Sequence, residues 1–282
     1  MQDMIIGAIS DYKKDQLKYW VNSINRSGFT GIKALVVHNI SDETLDWLDS
    51  EGFEIFLASG NRNPQDDGYL YKENFGVQVT ITRHFFNWYF LKDRTDIRYV
   101  ISSDIDVIFQ TNPSEWLEQN LGDKKLNYGC EALLYKDEPW GNDNLIRCFG
   151  PYVHNAMKDS PIYNAGSMAG ECKTFADFSL NVFKAIEHIQ NDVPDQAGVN
   201  FLLGLEPYKS ITKFNDHDTN WAAQLGTTAN PHKINHFRPH LLSPEPTFDG
   251  THIYNSKGEK YCLVHQYNKV PEWQNKLEMI YG

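Results

Sequence analysis

The sequence predicts an α/β fold with a mostly parallel central sheet flanked by helices, and three observations carry that prediction. Met4–Ile9, Gly31–His38 and Phe53–Leu57 are short apolar runs separated by two segments of helical spacing, a β-α-β-α-β opening with right-handed crossovers. Ile97–Pro113 (IRYVISSDIDVIFQTNP) holds an uncharged run too short for a typical helix, which reads as a strand buried on both faces. Thr174–Gln190 lines up Phe175, Phe178, Val182, Phe183 and Ile186 in one apolar stripe, so a long helix covers the sheet. With 282 residues, 41% of them hydrophobic, the chain can bury a sizeable core, and one domain over 1–282 is the simplest division.

Taken in order, Asp15–Ser27 places Leu17, Trp20, Val21 and Ile24 at helical spacing, and Asp42–Ser50 does the same with Leu45 and Leu48. Open α/β sheets bind ligands beyond the C-terminal ends of their strands, which singles out Ser10-Asp11-Tyr12 after the first strand. Ser59–Gly68 (SGNRNPQDDG) is polar and turn-rich and reads as a loop, either at an active site or idle on the surface. Asn74–Leu91 spaces Val77, Ile81, Phe85, Trp88 and Tyr89 for a buried helix that also carries Arg83. Pro113–Leu121 reads as a short helix and Tyr128–Tyr135 as a strand. Lys136–Ser160, rich in Pro, Gly, Asn and Asp, reads as a loop-dominated excursion. Pro161–Gly170 (PIYNAGSMAG) has small residues that either let backbone approach a ligand or pack a strand and turn. Gln196–Leu203 is a helix with Asp195 at its entrance, as a cap or as a functional acid. Thr212–Asp218 is strand then loop, Trp221–Thr228 is small and polar, and Lys260–Val264 is a strand ending at His265.

Asp104 and Asp106, one residue apart at a strand end, point to the same side of the chain. Two like charges among core residues are unfavourable unless a cation compensates them, so the pair reads as a metal site. His265 at the end of a later strand completes a carboxylate and imidazole set suited to Mn²⁺ or Mg²⁺. Two strand ends on one edge of a parallel sheet would leave the three side chains facing solvent. The net charge of -11, without a Lys/Arg cluster, argues against a nucleic-acid partner and means that an anionic substrate needs the metal. Cys130, Cys148, Cys172 and Cys262 are scattered and read as reduced thiols, and His232, His236 and His240 as ordinary surface histidines. No basic leader or stretch of transmembrane length stands out, so the expectation is a soluble, cytoplasmic protein.

In this ordered set the chain resembles the GT-A glycosyltransferases. It is more specifically similar to glycosyltransferase family 8, the glycogenin and bacterial lipooligosaccharide galactosyltransferase type. Ala8-Ile9-Ser10-Asp11-Tyr12 is similar to the family's strand-loop for uracil and ribose, and Arg83 to an arginine that precedes the DxD strand and contacts the donor. Ser103-Asp104-Ile105-Asp106-Val107 matches the metal motif, and Asn164-Ala165-Gly166 an N-A-G segment lining the donor sugar. Asp195-Gln196 with Asn200 resembles D-Q-x-x-x-N, and His265 with Trp273 the terminal H-x-x-G-x-x-K-P-W. Asn268 replaces the family glycine there and Pro271-Glu272 replaces Lys-Pro, leaving Lys269 to reach a diphosphate.

The resemblance implies a Rossmann-like nucleotide-binding half, about 1–110, continuous with a sugar- and acceptor-binding half, about 111–282. It implies a UDP-sugar donor, a glycan or glycoconjugate acceptor, and Mn²⁺ or Mg²⁺ on Asp104, Asp106 and His265. It also implies retention of anomeric configuration, with Gln196 near the anomeric carbon and Asp195 on sugar hydroxyls; an inverting route with Asp195 as base stays open. Two other classes compete. A metal-dependent nucleotidyltransferase needs a Gly-rich basic loop after the first strand, and Ser10–Lys14 has no glycine. A sugar-binding module without catalysis needs no metal arranged for a diphosphate.

Overall fold

The computed structural model describes residues 1–58, 61–63, 68–70, 79–189 and 193–282. The chain opens with β1 (Gln2–Ile9), α1 (Lys14–Arg26), β2 (Ile32–Val37), α2 (Asp42–Ser50) and β3 (Phe53–Leu57), as the apolar spacing predicts. A short antiparallel hairpin follows, β4 (Asn61–Asn63) with β5 (Gly68–Leu70), its first strand within the stretch expected to be only loop and its second starting at that stretch's last residue. The rest of that stretch, 59–60 and 64–67, lies outside the described residues. The helix expected from Asn74 is described from Val79, as α3 (Val79–Leu91), and 74–78 likewise lie outside.

Next come β6 (Ile97–Ser103), β7 (Val107–Phe109), α4 (Pro113–Asn120) and β8 (Leu126–Leu134). The expected loop over 136–160 is instead mostly helix, α5 (Pro139–Met157). Its composition misleads for a physical reason. Pro139 occupies the first turn, where a missing N–H costs nothing, and the Glu138 carboxylate accepts from the Gly141 N–H; Gly150, at φ 77° and ψ 176°, breaks the helix so that Pro151 can restart it.

The chain continues through β9 (Pro161–Glu171), α6 (Cys172–Ile186), α7 (Asp195–Leu203), α8 (Tyr208–Ile211) and β10 (Thr212–Asn215). The segment read as small and polar forms β11 (Ala222–Gln224) and α9 (Leu225–Thr228). It is followed by α10 (Ile234–Phe237), β12 (Thr247–Phe248), β13 (Ile253–Tyr254), β14 (Leu263–His265) and α11 (Pro271–Tyr281).

Seven strands make one sheet in the order β10-β8-β9-β6-β1-β2-β3. Only β9 runs against its neighbours; β8 with β10, and β6, β1, β2 and β3 among themselves, pair in parallel. Alternation along β1 builds both faces, with Met4 and Ile6 packing in the cluster of Phe175, Phe178 and Val182 from α6, and Ile5 and Ile9 in that of Leu17 and Trp20 from α1. Each of those fully buried phenylalanines contributes roughly 1.5–3 kcal/mol of transfer free energy. Successive strands leave β1 to one side as β2 and β3, and the chain then returns to its other side as β6. The C-terminal ends of β1 and β6 therefore flank a topological switch point, where open α/β sheets leave a crevice.

A second, smaller sheet has the order β11-β14-β7. It corrects the expected placement of His265, which ends a strand antiparallel to β7 and opposite Val107 rather than on an edge of the main sheet. Gln110 fastens this sheet. Its Nε2 donates to the carbonyls of Ile253 (3.0 Å) and Tyr261 (2.9 Å), and its Oε1 accepts from the Ile253 N–H at 2.8 Å. The four cysteines are free, and His232, His236 and His240 lie on the surface, as expected. Among the described residues, no helix is long and apolar enough to cross a membrane.

Candidate active site

At the switch point β6 delivers Asp104, whose backbone N–H donates to the Gly166 carbonyl at 3.0 Å. The Gln266 N–H donates to the Asp106 carbonyl, also at 3.0 Å, which ties the second acid to the residue after His265. The Nε2 of His265 lies 3.4 Å from Asp104 Oδ2 and 3.3 Å from Asp106 Oδ1. One ligating atom from each of the three residues falls within 4.8 Å of the others. The two acids are partly exposed, but His265 is only 2% exposed, against the expectation that all three face solvent. The reason is its seat inside the second sheet.

Gln224, which no motif pointed to, fixes the histidine. Its Nε2 donates to Ser167 Oγ at 2.9 Å, so its Oε1 is left to accept from His265 Nδ1 at 2.7 Å. The amide oxygen can only accept, and Nδ1 therefore carries the proton while Nε2 aims at the acids with a lone pair when the ring is neutral. Burial alone would lower this imidazole, but Asp106 and Asp104 outweigh it and push it up to about 10. Gly166 leaves the space that Asp104 and His265 need, since a Cβ there would lie 2.6 Å from Asp104 Oδ2 and 2.7 Å from His265 Nε2. Two carboxylates, an imidazole held in the ligating tautomer and a cradle open only to glycine fit Mn²⁺ or Mg²⁺.

Arg83, from α3, is buried and reaches three acceptors: Asp104 Oδ1 at 2.5 Å, Asp195 Oδ2 at 2.6 Å and the Ala165 carbonyl at 3.0 Å. Burial works to raise Asp104, and Arg83 and His265 overcome it, holding the carboxyl well below its ordinary range. For Asp195, 5% exposed, burial prevails over Arg83 and pushes it upward. Asp195 does not cap α7; the cap position is Pro194, without a side-chain bond. Asn164 donates from Nδ2 to Glu131 Oε1 (2.7 Å) and to Gln196 Oε1 (3.3 Å), while its Oδ1 accepts from the Gly166 N–H at 2.6 Å.

These residues border two cavities. One, of about 440 Å³, is lined by Arg83, Asp104, Asn164, Ala165, Gly166, Asp195, Gln196, His265 and Lys269, together with Glu131, Thr227 and Lys233, which sequence reasoning missed. The other, of about 320 Å³, is lined by Ala8, Ser10, Tyr12 and Asp106 and shares Arg83 and Asp104 with the first. Asp11 stands apart. Its backbone is left-handed (φ 63°), its carboxylate accepts from Ser10 and Asn39, and it lines a separate cavity of about 780 Å³ that Tyr12 also borders.

No described protein family and no curated protein matches the sequence. Solved structures do match. The apo structure of the bifunctional glycosyltransferase WbbM superposes with a TM-score of 0.63 at 12% identity, over 99% of this chain and 51% of its own. The chain thus spans about half the length of that protein. The galactosyltransferase LgtC, in complex with donor and acceptor sugar analogues, gives a TM-score of 0.52 at 16% identity, over 93% of this chain and 86% of its own. Mouse xyloside xylosyltransferase 1, in its apo form, gives 0.55 at 12% identity, over 94% and 97%. With its seven-stranded, mostly parallel sheet and an Asp-Asp-His group at the switch point, the chain has the GT-A fold of these glycosyltransferases.

Proposed function

We propose that this protein is a metal-dependent glycosyltransferase that moves a sugar from a UDP-sugar to a hydroxyl of a glycan acceptor, with retention at the anomeric carbon. The observation that carries the reading is the convergence of Asp104, Asp106 and His265, from two different sheets, where the two cavities meet. A divalent cation on these three residues would neutralise the charge that develops on the departing diphosphate. Ser10 and Tyr12 line the smaller cavity, with Tyr12 available to stack on the base, while Asn164, Gln196 and Asp195 in the larger one offer hydrogen bonds to sugar hydroxyls. Lys269, exposed at the rim of the larger cavity, supplies positive charge for the diphosphate.

Retention is favoured by the state of Asp195. Arg83 holds Asp195 Oδ2 and the residue is buried, which suits a group that binds donor hydroxyls better than a base that must meet an incoming acceptor. Gln196, an amide without acid-base function, fits a site that polarises rather than deprotonates. A nucleotidyltransferase is disfavoured, because the loop after β1 turns on Asp11, an acid, where a phosphate-cradling loop uses glycine and backbone N–H groups.

The test is release of UDP from a panel of UDP-sugars with Mn²⁺. We expect one donor to be cleaved, EDTA to abolish the reaction and D106A to lower it by about 100-fold or more while the protein stays folded. Full activity of D106A in EDTA overturns the metal assignment. NMR of the anomeric proton in the first-formed product checks the stereochemistry, and an inverted product returns the base role to a carboxylate.

A further inference from the structure

Glu131 sits in β8 among apolar neighbours, only 8% exposed, and lines the 440 Å³ cavity. Its Oε1 accepts from Asn164 Nδ2 at 2.7 Å, the same amide nitrogen that reaches Gln196. Among the described residues no cation forms an ion pair with it. Arg83 is committed to Asp104 and Asp195 and His265 to Asp104 and Asp106, and the other cations of the wall, Lys233 and Lys269, lie exposed at the rim. A second buried carboxylate, Glu138, lines the same cavity, so two buried acids without an ion-pair partner among the described residues share this wall.

We infer that Glu131 is a further substrate-binding residue, a carboxylate at the cavity floor that accepts a hydrogen bond from a hydroxyl of the transferred sugar and restricts the donor to uncharged sugars. This rests on the glycosyltransferase reading above. A hydroxyl presented to a buried carboxylate makes a charge-assisted hydrogen bond, stronger than a neutral one. A uronate carboxylate presented there meets a like charge that no cation is ion-paired with, and that repulsion is large where water is excluded. Burial, with Glu138 nearby, pushes the Glu131 carboxyl upward, and the Asn164 amide, the His265 charge and the Gln196 amide oppose it. If Glu131 served only to brace Asn164, its charge would not affect which sugar is accepted.

The experiment is calorimetry with Mn²⁺ at pH 8, chosen to favour the ionised carboxylate, on wild type and the isosteric E131Q. The probes are UDP, UDP-glucose, UDP-galactose and the matching pair UDP-glucuronate and UDP-galacturonate. We expect the wild type to bind one neutral donor at least about 10-fold more tightly than its uronate, and E131Q to narrow that ratio by about 10-fold. UDP alone, which lacks the sugar, should bind both proteins equally and shows that E131Q is folded. An unchanged ratio in E131Q, or a preference of the wild type for a uronate, overturns the role of Glu131 while leaving the enzyme class standing. Absence of metal-dependent UDP binding by the wild type overturns the glycosyltransferase reading and this inference with it.

Discussion

Arg83 bonds to Asp104, Asp195 and the Ala165 carbonyl from a buried position, so its guanidinium compensates two acids at once. Removing one partner of a buried pair leaves an uncompensated charge, which typically costs about 3–5 kcal/mol. We expect R83M to lose stability of that order in urea denaturation, and D195N to lose less, because Arg83 keeps Asp104. An R83M protein as stable as wild type would show that neither acid depends on Arg83 for its compensation. Residues of this kind were legible in the sequence because each stands in a short motif: Arg83 in its helix, Asp104 and Asp106 after an apolar run, and Asp195 beside Gln196. Glu131 and Gln224 were not. Glu131 leaves one trace, a lone charge in the otherwise apolar Cys130–Leu134, while Gln224 orients His265 through a contact between residues 41 positions apart that no local pattern reports.

At the scale of elements, β9 carries the site because its Gly166 lets the side chains of Asp104 and His265 approach closely. A methyl group at Gly166 would press on Asp104 Oδ2 and His265 Nε2 together. We therefore expect G166A to weaken Mn²⁺-dependent UDP binding by about 10-fold or more, as disturbed ligand support does, while its melting temperature stays near that of wild type. Retained affinity would mean that the cation lies away from this cradle. β1 was readable as an apolar run buried on both faces, and α1, α2 and α6 from the period of a single buried face. Helix α5 was not, since its proline and glycines mark a first turn and a break inside a helix as readily as a loop. The two- and three-residue strands β11 to β13 are too short to carry a period, whereas β14 falls at the end of the apolar run read as a strand before His265.

For the molecule as a whole, three histidines lie in the interior and oppose acidification. Burial pushes His38 and His217 down to about 4, and His84 falls well below its ordinary value for the same reason. Between pH 6.5 and 4 the unfolded chain takes up protons at these positions that the folded chain refuses. The contribution of these three is therefore fully present above that window and falls as pH drops through it, by on the order of 3 kcal/mol for each of His38 and His217. The His217 Nε2 accepts from the Gln224 N–H at 3.1 Å, a bond a glutamine side chain can replace. We expect H217Q to show a shallower decline of the urea midpoint from pH 6.5 to 4.5 than wild type; equal slopes would show that His217 protonates in the folded protein. The pairing of β7 with β14 has a kinetic consequence. Gln110 closes separations of 143 and 151 residues there, and Asp106 meets His265 across the same divide. Contacts so distant along the chain bear the largest closure entropy and form late. A cation that needs all three ligands would find no site in the transition state, so its binding would leave the refolding rate nearly untouched and act as a brake on unfolding alone.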